Sequence, residues 1–586
     1  MLDPRIYRAA LIPAMLALIV AAFSLESPPR PLTAQLPPDS FSGPRAFGSL
    51  QELSRRFPDR RPGSRGDTAL GSRVRTVLDN SGFQVADRRF KARTVRGREE
   101  LRTVSGVRAG LSSRAIVVLA HRDSLARPGE AELSGTAALL ELARVYEGRT
   151  LRKTLVLAST SGGTGGAAGA AEAARHLEGP VDAVLVLGDL AGSRLRRPVV
   201  VPWANSPVVA PVALRRTAEA AVRLETGLRS REPGLFGQFG RLGFPLTTGE
   251  QGPMGARSLP AVLISVSGER GPQSGDAVGR ERFGEMGRAV LRTITALDAQ
   301  PAAPPRPRAE LLVARKLVPG WAVLILTGAL ILPVLLAAID GFARVRRRRH
   351  PVGMWVAWVL AGAAPFALAA LFALALALTG LMPTPPPEAA PPGAVPLDVG
   401  ALATLGVTAL VLLVGWLGVR PLLLRLAGVT GRPDSPGAAA ALLLVFVAVV
   451  TAVWAFNPFA AALLLVPLHA WTLVVSPDVR MRRSVAVGLV VLSLIPVALV
   501  VLYYALAIGY GPMELVWNAL LLAIGGHVGL LGVAAWCLLL GCLGSVLSIA
   551  RSRRLTPPEV AETTTRGPLS YAGPGSLGGT ESALRR

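Results

Sequence analysis

The sequence predicts a two-part protein. One part is an extracytoplasmic α/β domain whose mainly parallel sheet is sandwiched by helices, and the other is an all-α transmembrane bundle, about eight spans in total. Three observations carry this. Short apolar runs alternate with charged, helically spaced segments up to about residue 316. From Leu317 onward, runs of about 20 apolar residues recur, the length a helix needs to cross a bilayer. The arginines of this half fall in every second connection, as expected when they stay on the cytoplasmic side.

Taken in order, residues 1–25 hold an apolar stretch behind Arg5 and Arg8. The following SLESPP offers no small-x-small cleavage site, so an uncleaved signal anchor is expected. Residues 26–45 are Pro-rich and read as a spacer, mirrored by 301–316 on the return. Between them, in 46–300, GFQVADRRF and RTVSGV read as strands, and RAIVVLAH as a buried strand. LSGTAALLELARVYEG has helical spacing, TLVLAST and AVLVLGD are buried strands, and AAGAAEAARHLEG is a helix. VVAPVALRRTAEAAVRLE and RFGEMGRAVLRTITALD are later helices around the strand PAVLISV. Such alternation predicts parallel strands covered on both faces, with ligands held at the strands' carboxyl ends. AHRD, STSGG and LGDLAG lie at three such ends and are expected to converge on one crevice.

The predicted spans are 9–25, 317–341, 352–382, 399–419, 436–456, 458–476, 484–508 and 527–550, seven of them in the bundle 317–551. The first dozen residues of 513–550 read as interfacial or re-entrant, because another span would break the arginine pattern. This places residues 26–316 outside a cell membrane and both termini in the cytoplasm. Residues 552–586, rich in Pro, Gly, Ser and Thr, read as a disordered tail.

The net charge of +25 comes almost wholly from arginine, since only three lysines occur. With no basic-and-aromatic platform, no nucleic-acid partner is expected; the lipid bilayer is. Cys537 and Cys542 both lie in the last span, so the exported domain has no disulfide. SGGTGG (161–166) opens a helix but lacks the Gly-Lys-Ser/Thr ending of a nucleotide loop. His469 and His527 read as helix–helix hydrogen-bond partners, and His176 as a surface residue.

RAIVVLAHRDS, SGTAALLELARVY, KTLVLASTSGGTGGAAGAAEAARHL, LGDLAG, SLPAVLIS and the helix at 281–298, in this order, resemble segments of the di-zinc aminopeptidase and glutamate-carboxypeptidase family (peptidase family 28 type). The layout also resembles the endoplasmic-reticulum metallopeptidase and the attachment subunit of the GPI transamidase. The resemblance implies a zinc-exopeptidase fold and a site whose parts can be checked residue by residue. His121 matches the first zinc ligand, Asp123 its orienting neighbour and Asp189 a carboxylate ligand. The bridging Asp falls on Ala131, the catalytic Glu on Gly163, the second-zinc Glu on Thr164 and the last His near Pro272. The family's Ser-Asp-His segment falls on Gly249, Glu250 and Gln251. Four of the six parts, five ligands and a base, are therefore replaced. The implied protein is a pseudopeptidase that binds peptide or protein without a cofactor. Two alternatives stand beside it. One is an active single-zinc aminopeptidase using His121, Asp189 and either Glu130 or Glu132, and the other is a subunit of a membrane lipid-attachment or export complex.

Overall fold

The computed structural model describes residues 4–36, 40–125, 129–177, 179–195, 199–230, 232–301, 306–349, 351–383, 385–431, 433, 435–476, 479 and 481–552. The tail expected at 552–586 lies outside them from residue 553 on.

After helix α1 (Pro4–Phe23), the α/β part runs α2 (Gly43–Arg56), α3 (Arg65–Asn80), β1 (Gln84–Thr94), β2 (Gly97–Arg108), β3 (Ser112–His121), α4 (Glu130–Val145), β4 (Lys153–Thr160), α5 (Ala168–His176) and β5 (Val181–Leu187). It continues with β6 (Val200–Val201), α6 (Val212–Thr226), α7 (Leu235–Gly243), α8 (Gln251–Ala256), β7 (Ala261–Ile264) and α9 (Arg280–Ala299). The sheet order is β1-β2-β4-β3-β5-β7-β6. It is mixed, which corrects the mainly parallel expectation. The β4-β3-β5-β7 centre is parallel, whereas β1–β2, β2–β4 and β6–β7 pair antiparallel. The reason is local: only Val95 and Arg96 separate β1 from β2, and so short a connection returns the chain antiparallel. Alternation along β3 fills both faces. Ile116, Val118 and Ala120 join the core under α2, α4, α6 and α9, while Ala115, Val117 and Leu119 pack with Ala170 and Ala174 of α5 and Met254 of α8.

The segment read as a return spacer contains a hairpin, β8 (Glu310–Val313) and β9 (Lys316–Pro319). Its two turn residues, Ala314 and Arg315, both have positive φ, the backbone of the tightest hairpin turn. Gln238 of α7 exchanges hydrogen bonds of 2.9 and 2.8 Å with Leu312, and Glu26 pairs with Leu317, so both connections are tied down.

The helical half comprises α10 (Gly320–Arg347), α11 (Val352–Leu378), α12 (Val399–Val414), α13 (Arg420–Leu426), α14 (Pro436–Phe456), α15 (Pro458–Leu463), α16 (Leu465–Val475), α17 (Arg483–Ser493), α18 (Ile495–Ile508), α19 (Pro512–Gly525) and α20 (Leu530–Ser552). With α12–α13 and α17–α18 each taken as one, seven helices among the described residues are long and apolar enough to cross a membrane. The segment 458–476, counted as a span from composition, forms two helices, of 6 and 11 residues, broken at Leu464. Pro467 explains the break, since it has no N–H to give the carbonyl four residues back. The 14-residue α19 is about 21 Å long, too short to cross alone.

The two halves meet along α7. Gly237, Gly240 and Gly243 recur every third residue. Methyl groups there would stand 2.8 Å from Tyr503, 3.2 Å from Val500 and 3.2 Å from the Ala460 backbone. The bare stripe lets α18 and α15 come to backbone distance. The last carbonyls of α7 need partners: Asn457 Nδ2 donates to those of Leu242 and Gly243 at 2.8 and 3.2 Å, and the Tyr504 hydroxyl donates to that of Phe244. Between the glycines, Arg241 is 2% exposed, pairs with the buried Glu269, and lies 5.4 and 5.0 Å from the Tyr503 and Tyr504 rings. Burial alone would lower the Arg241 pKa, but the Glu269 charge reverses the sign and holds it above the usual value. Replacing Arg241 by Met strands a buried carboxylate. Thermal unfolding of the purified full chain should then show a loss of about 3–5 kcal/mol.

Candidate functional site

The carboxyl ends of β3, β4, β5 and β7 open into one cavity of ≈ 420 Å³. His121 comes from β3, Gly163 and Thr164 from the loop after β4, Asp189 from the loop after β5, Ser265 from the end of β7, and Glu250 from just before α8. The turn Gly268–Pro272 forms part of the rim. The helical half also lines the cavity, through Pro391–Ala394, between α11 and α12, and Ile508 and Gly509 at the end of α18.

The His121 backbone is held by the Thr136 hydroxyl of α4, which donates to its carbonyl at 2.8 Å. Its ring lies over Gly163. A Cβ at residue 163 would overlap His121 Cβ and stand 2.5 Å from Cγ, so the imidazole occupies the volume that any side chain there would need. His121 Nδ1 faces Glu250 Oε2 at 3.3 Å, and Glu250 Oε1 accepts from the Thr160 hydroxyl at 2.6 Å. Burial pulls the His121 pKa down, but the hydrogen bond and charge of Glu250 outweigh it and raise it to about 9. The ring is therefore an imidazolium at neutral pH. Its Nε2 is buried and has no protein partner.

Asp123 does not face the cavity's polar atoms as a free carboxylate. It accepts from the N–H groups of Gly163 and Thr164 at 2.9 and 3.1 Å and from the Thr164 hydroxyl at 2.6 Å, pinning the loop after β4. Asp189 turns back onto its own loop, accepting from Ala191 and Gly192 N–H at 3.1 and 2.7 Å. Burial raises its pKa to about 6, against the opposing effect of those bonds and of the Ser267 hydroxyl.

Glu130 and Glu132, two residues apart on α4, point in different directions, as a helix of 3.6 residues per turn requires. Glu132 borders both the main cavity and a smaller pocket of ≈ 180 Å³ next to Asp276, whereas Glu130 and Ala131 line only the smaller one. Pro272 borders both pockets. Burial raises the Glu132 pKa to about 7, and its Oε2 is also buried without a protein partner. His176 is engaged locally with Glu172, its ring nitrogen 3.0 Å from that carbonyl.

A catalytic zinc needs three protein ligands and a place for water. Among the described residues, no three His, Cys, Asp or Glu side chains gather closely enough to hold a metal ion. His121, Asp189 and Glu132 share a cavity, but Asp189 is spent on its own loop. The residues present do not fit the metal that the resemblance implied.

Glu250, in the segment Gly249–Gln251, carries no sequence signal for its contact with the His121 ring nitrogen. It lies 129 positions further along the chain, in a loop with no periodicity.

No family model and no curated protein matches the chain. Among solved structures it is similar to the glutaminyl cyclase of Porphyromonas gingivalis, at 18% identity over 44% of this chain and 99% of that one, TM-score 0.32. It is similar to the glutaminyl cyclase of Fimbriiglobus ruber at 14% identity, 46% and 99% coverage and TM-score 0.36. It is also similar to a zinc aminopeptidase from Bacillus subtilis at 11% identity, 46% and 100% coverage and TM-score 0.36.

Two outcomes follow from the His121 environment. Gly163→Ala should destabilise by about 1–3 kcal/mol through overpacking, and adding His121→Gly, which removes the Cβ that the new methyl would overlap, should restore much of the loss, read from a double-mutant cycle of unfolding temperatures. A histidine whose pKa rises from 6.5 unfolded to about 9 folded contributes stability that is full below pH 6.5 and lost as pH climbs through 9. The wild type should therefore lose stability between these values, and His121→Asn should lose less over the same window in pH-resolved thermal unfolding.

Proposed function

We propose that this chain is a membrane-anchored pseudopeptidase whose crevice binds peptide segments without cleaving them. The observation that carries this reading is the pair of buried, unpartnered atoms in one cavity, His121 Nε2 and Glu132 Oε2. Buried polar groups demand partners. The imidazolium N–H is a donor, the Glu132 carboxyl with its pKa of about 7 can accept or donate, and a peptide group offers the complement of both in its C=O and N–H. Nothing at residue 163, where the resemblance places the base, can take a proton from water, and His121 already holds one at neutral pH.

The proposed topology, in which α15 and α16 together cross as one broken span beside the seven long helices, puts residues 26–316 outside the cell membrane and both termini inside. Its support is that every connection assigned to the outer side from its lack of arginine touches the α/β domain. Glu388 bonds Asn205, Asn457 bonds the α7 terminus, and Gly509 lies against Arg270. His527, at the start of the last apolar stretch, lies 2.9 Å from the Pro245 carbonyl. The crevice thereby opens at the membrane surface, with the bilayer as one partner and a peptide or a membrane protein's exposed segment as the other.

The test is peptide binding by the purified full chain, followed by fluorescence anisotropy across a peptide library. Binding should be indifferent to chelator, and His121→Ala should weaken it by about 10- to 100-fold, the worth of one charge-assisted hydrogen bond. Stoichiometric zinc together with chelator-sensitive hydrolysis of aminoacyl-anilides would overturn the reading.

A further inference from the structure

Two apolar cavities flank α18 inside the helical half. The larger, ≈ 560 Å³, lies between α14, α16, α18, α19 and α20, with Phe446, Trp471 and Leu540 among its walls. The smaller, ≈ 170 Å³, reaches the α/β domain, where Phe244 and Leu246 close it. They share Val497, Val501, Tyr510, Leu515 and Trp536 and so form one groove. Its origin is visible in the chain. Pro467 and Pro496 break the helices beside it, and α19 is too short to cover it along its length.

The groove ends against the crevice. Tyr510 lines the groove, while its neighbours Ile508 and Gly509 line the crevice. The Tyr510 hydroxyl donates to the Ala390 carbonyl at 2.5 Å, and the next residue, Pro391, again lines the crevice. One phenol ring thus separates an apolar channel among the helices from a polar cavity in the α/β domain.

That adjacency decides between occupants. Hydrocarbon tails of the bilayer are as apolar as the groove, so apolar burial alone gives a chain no preference for it. Preference arises when the same molecule is held at a second point, because the second contact becomes intramolecular. We propose that the crevice's ligand is an acylated peptide, its long acyl chain lying in the groove along α18 and its peptide portion in the cavity at His121 and Glu132. This rests on the peptide-binding reading and names the class of peptide.

The experiment uses the full chain in phosphatidylcholine nanodiscs. Its probes are a short peptide N-acylated with a palmitoyl chain bearing a terminal diazirine, and the same peptide without the chain. On irradiation, labels should map to Val497, Val501 and Leu540, and excess unacylated peptide should suppress them. Ala498→Trp and Leu540→Trp fill the groove. Each should cut labelling by about tenfold or more as the linked contact is lost, while the unacylated peptide binds these variants as it binds the wild type, which also shows that they are folded. Labels spread over outward-facing positions such as Leu402 and Leu413, equally in wild type and variants, would overturn the groove and leave peptide binding intact. Groove labelling that excess peptide fails to suppress would overturn the linkage between the two sites. Failure of the unacylated peptide to bind the wild type would overturn the peptide-binding reading itself.

Discussion

Arg241 and Glu269 form their ion pair out of reach of water, at the point where α7, the cavity rim and α18 meet. Two charges taken out of water are tolerated only when they satisfy each other and when their remaining hydrogen-bonding groups also find partners. Arg241 meets that demand through Glu269, the Leu246 carbonyl at 2.5 Å and the Tyr503 hydroxyl at 3.2 Å. Neither half of the molecule contains the whole set. The α/β domain supplies the charges, and the helical half supplies the two aromatic rings and the hydroxyl. Much of the crevice geometry follows, because Glu269 belongs to the same short turn as Gly268, Arg270 and Gly271, all of which line the cavity. Arg270 reinforces the junction by donating to the Leu506 carbonyl at 2.6 Å. The cavity is thus a property of the assembled chain, walled on one side by strand ends and on the other by a helix terminus and a Pro-rich loop.

Within that cavity the decisive packing is His121 upon Gly163. A carboxylate at 163 and an imidazole in its present place exclude each other sterically, so restoring a base would require moving the histidine and breaking its contact with Glu250. The bare Gly163 and the contact of His121 with Glu250 are two sides of one arrangement. Asp123 shows the same logic, its carboxylate satisfied by the N–H groups of the loop that Gly163 and Thr164 form.

The parts legible in sequence are those governed by local pattern. Buried strands announce themselves by continuous apolar runs, and their ends carry His121, Asp123, Thr164 and Asp189 into one region. From residue type alone, Ala131 and Thr164 are poor metal ligands and Gly163 cannot act as a base. What stayed hidden depends on distant contacts. The partner of His121 lies in a loop 129 residues away. Three glycines lower the helix propensity of α7, and only the helices it touches make that stripe an advantage. The sheet's antiparallel flank turned on the length of one connection, which alternation of strand and helix does not reveal.

The helical half shows a different gap between composition and shape. Hydropathy counts residues, and 458–476 meets the count, but proline decides whether a run is one rod. Pro467 and Pro496 each interrupt the ladder near mid-segment, at Leu464 and Leu494, and the two interruptions border the same apolar groove. A straight pair of helices would close side by side and leave no such space, since apolar side chains pack to near-crystalline density wherever backbones permit. Bends in α15–α16 and α17–α18 hold them apart, and the short α19 leaves the gap partly uncovered. The groove beside Tyr510 is therefore built by backbone chemistry that hydropathy does not register, and it lies where the polar cavity of the other half begins.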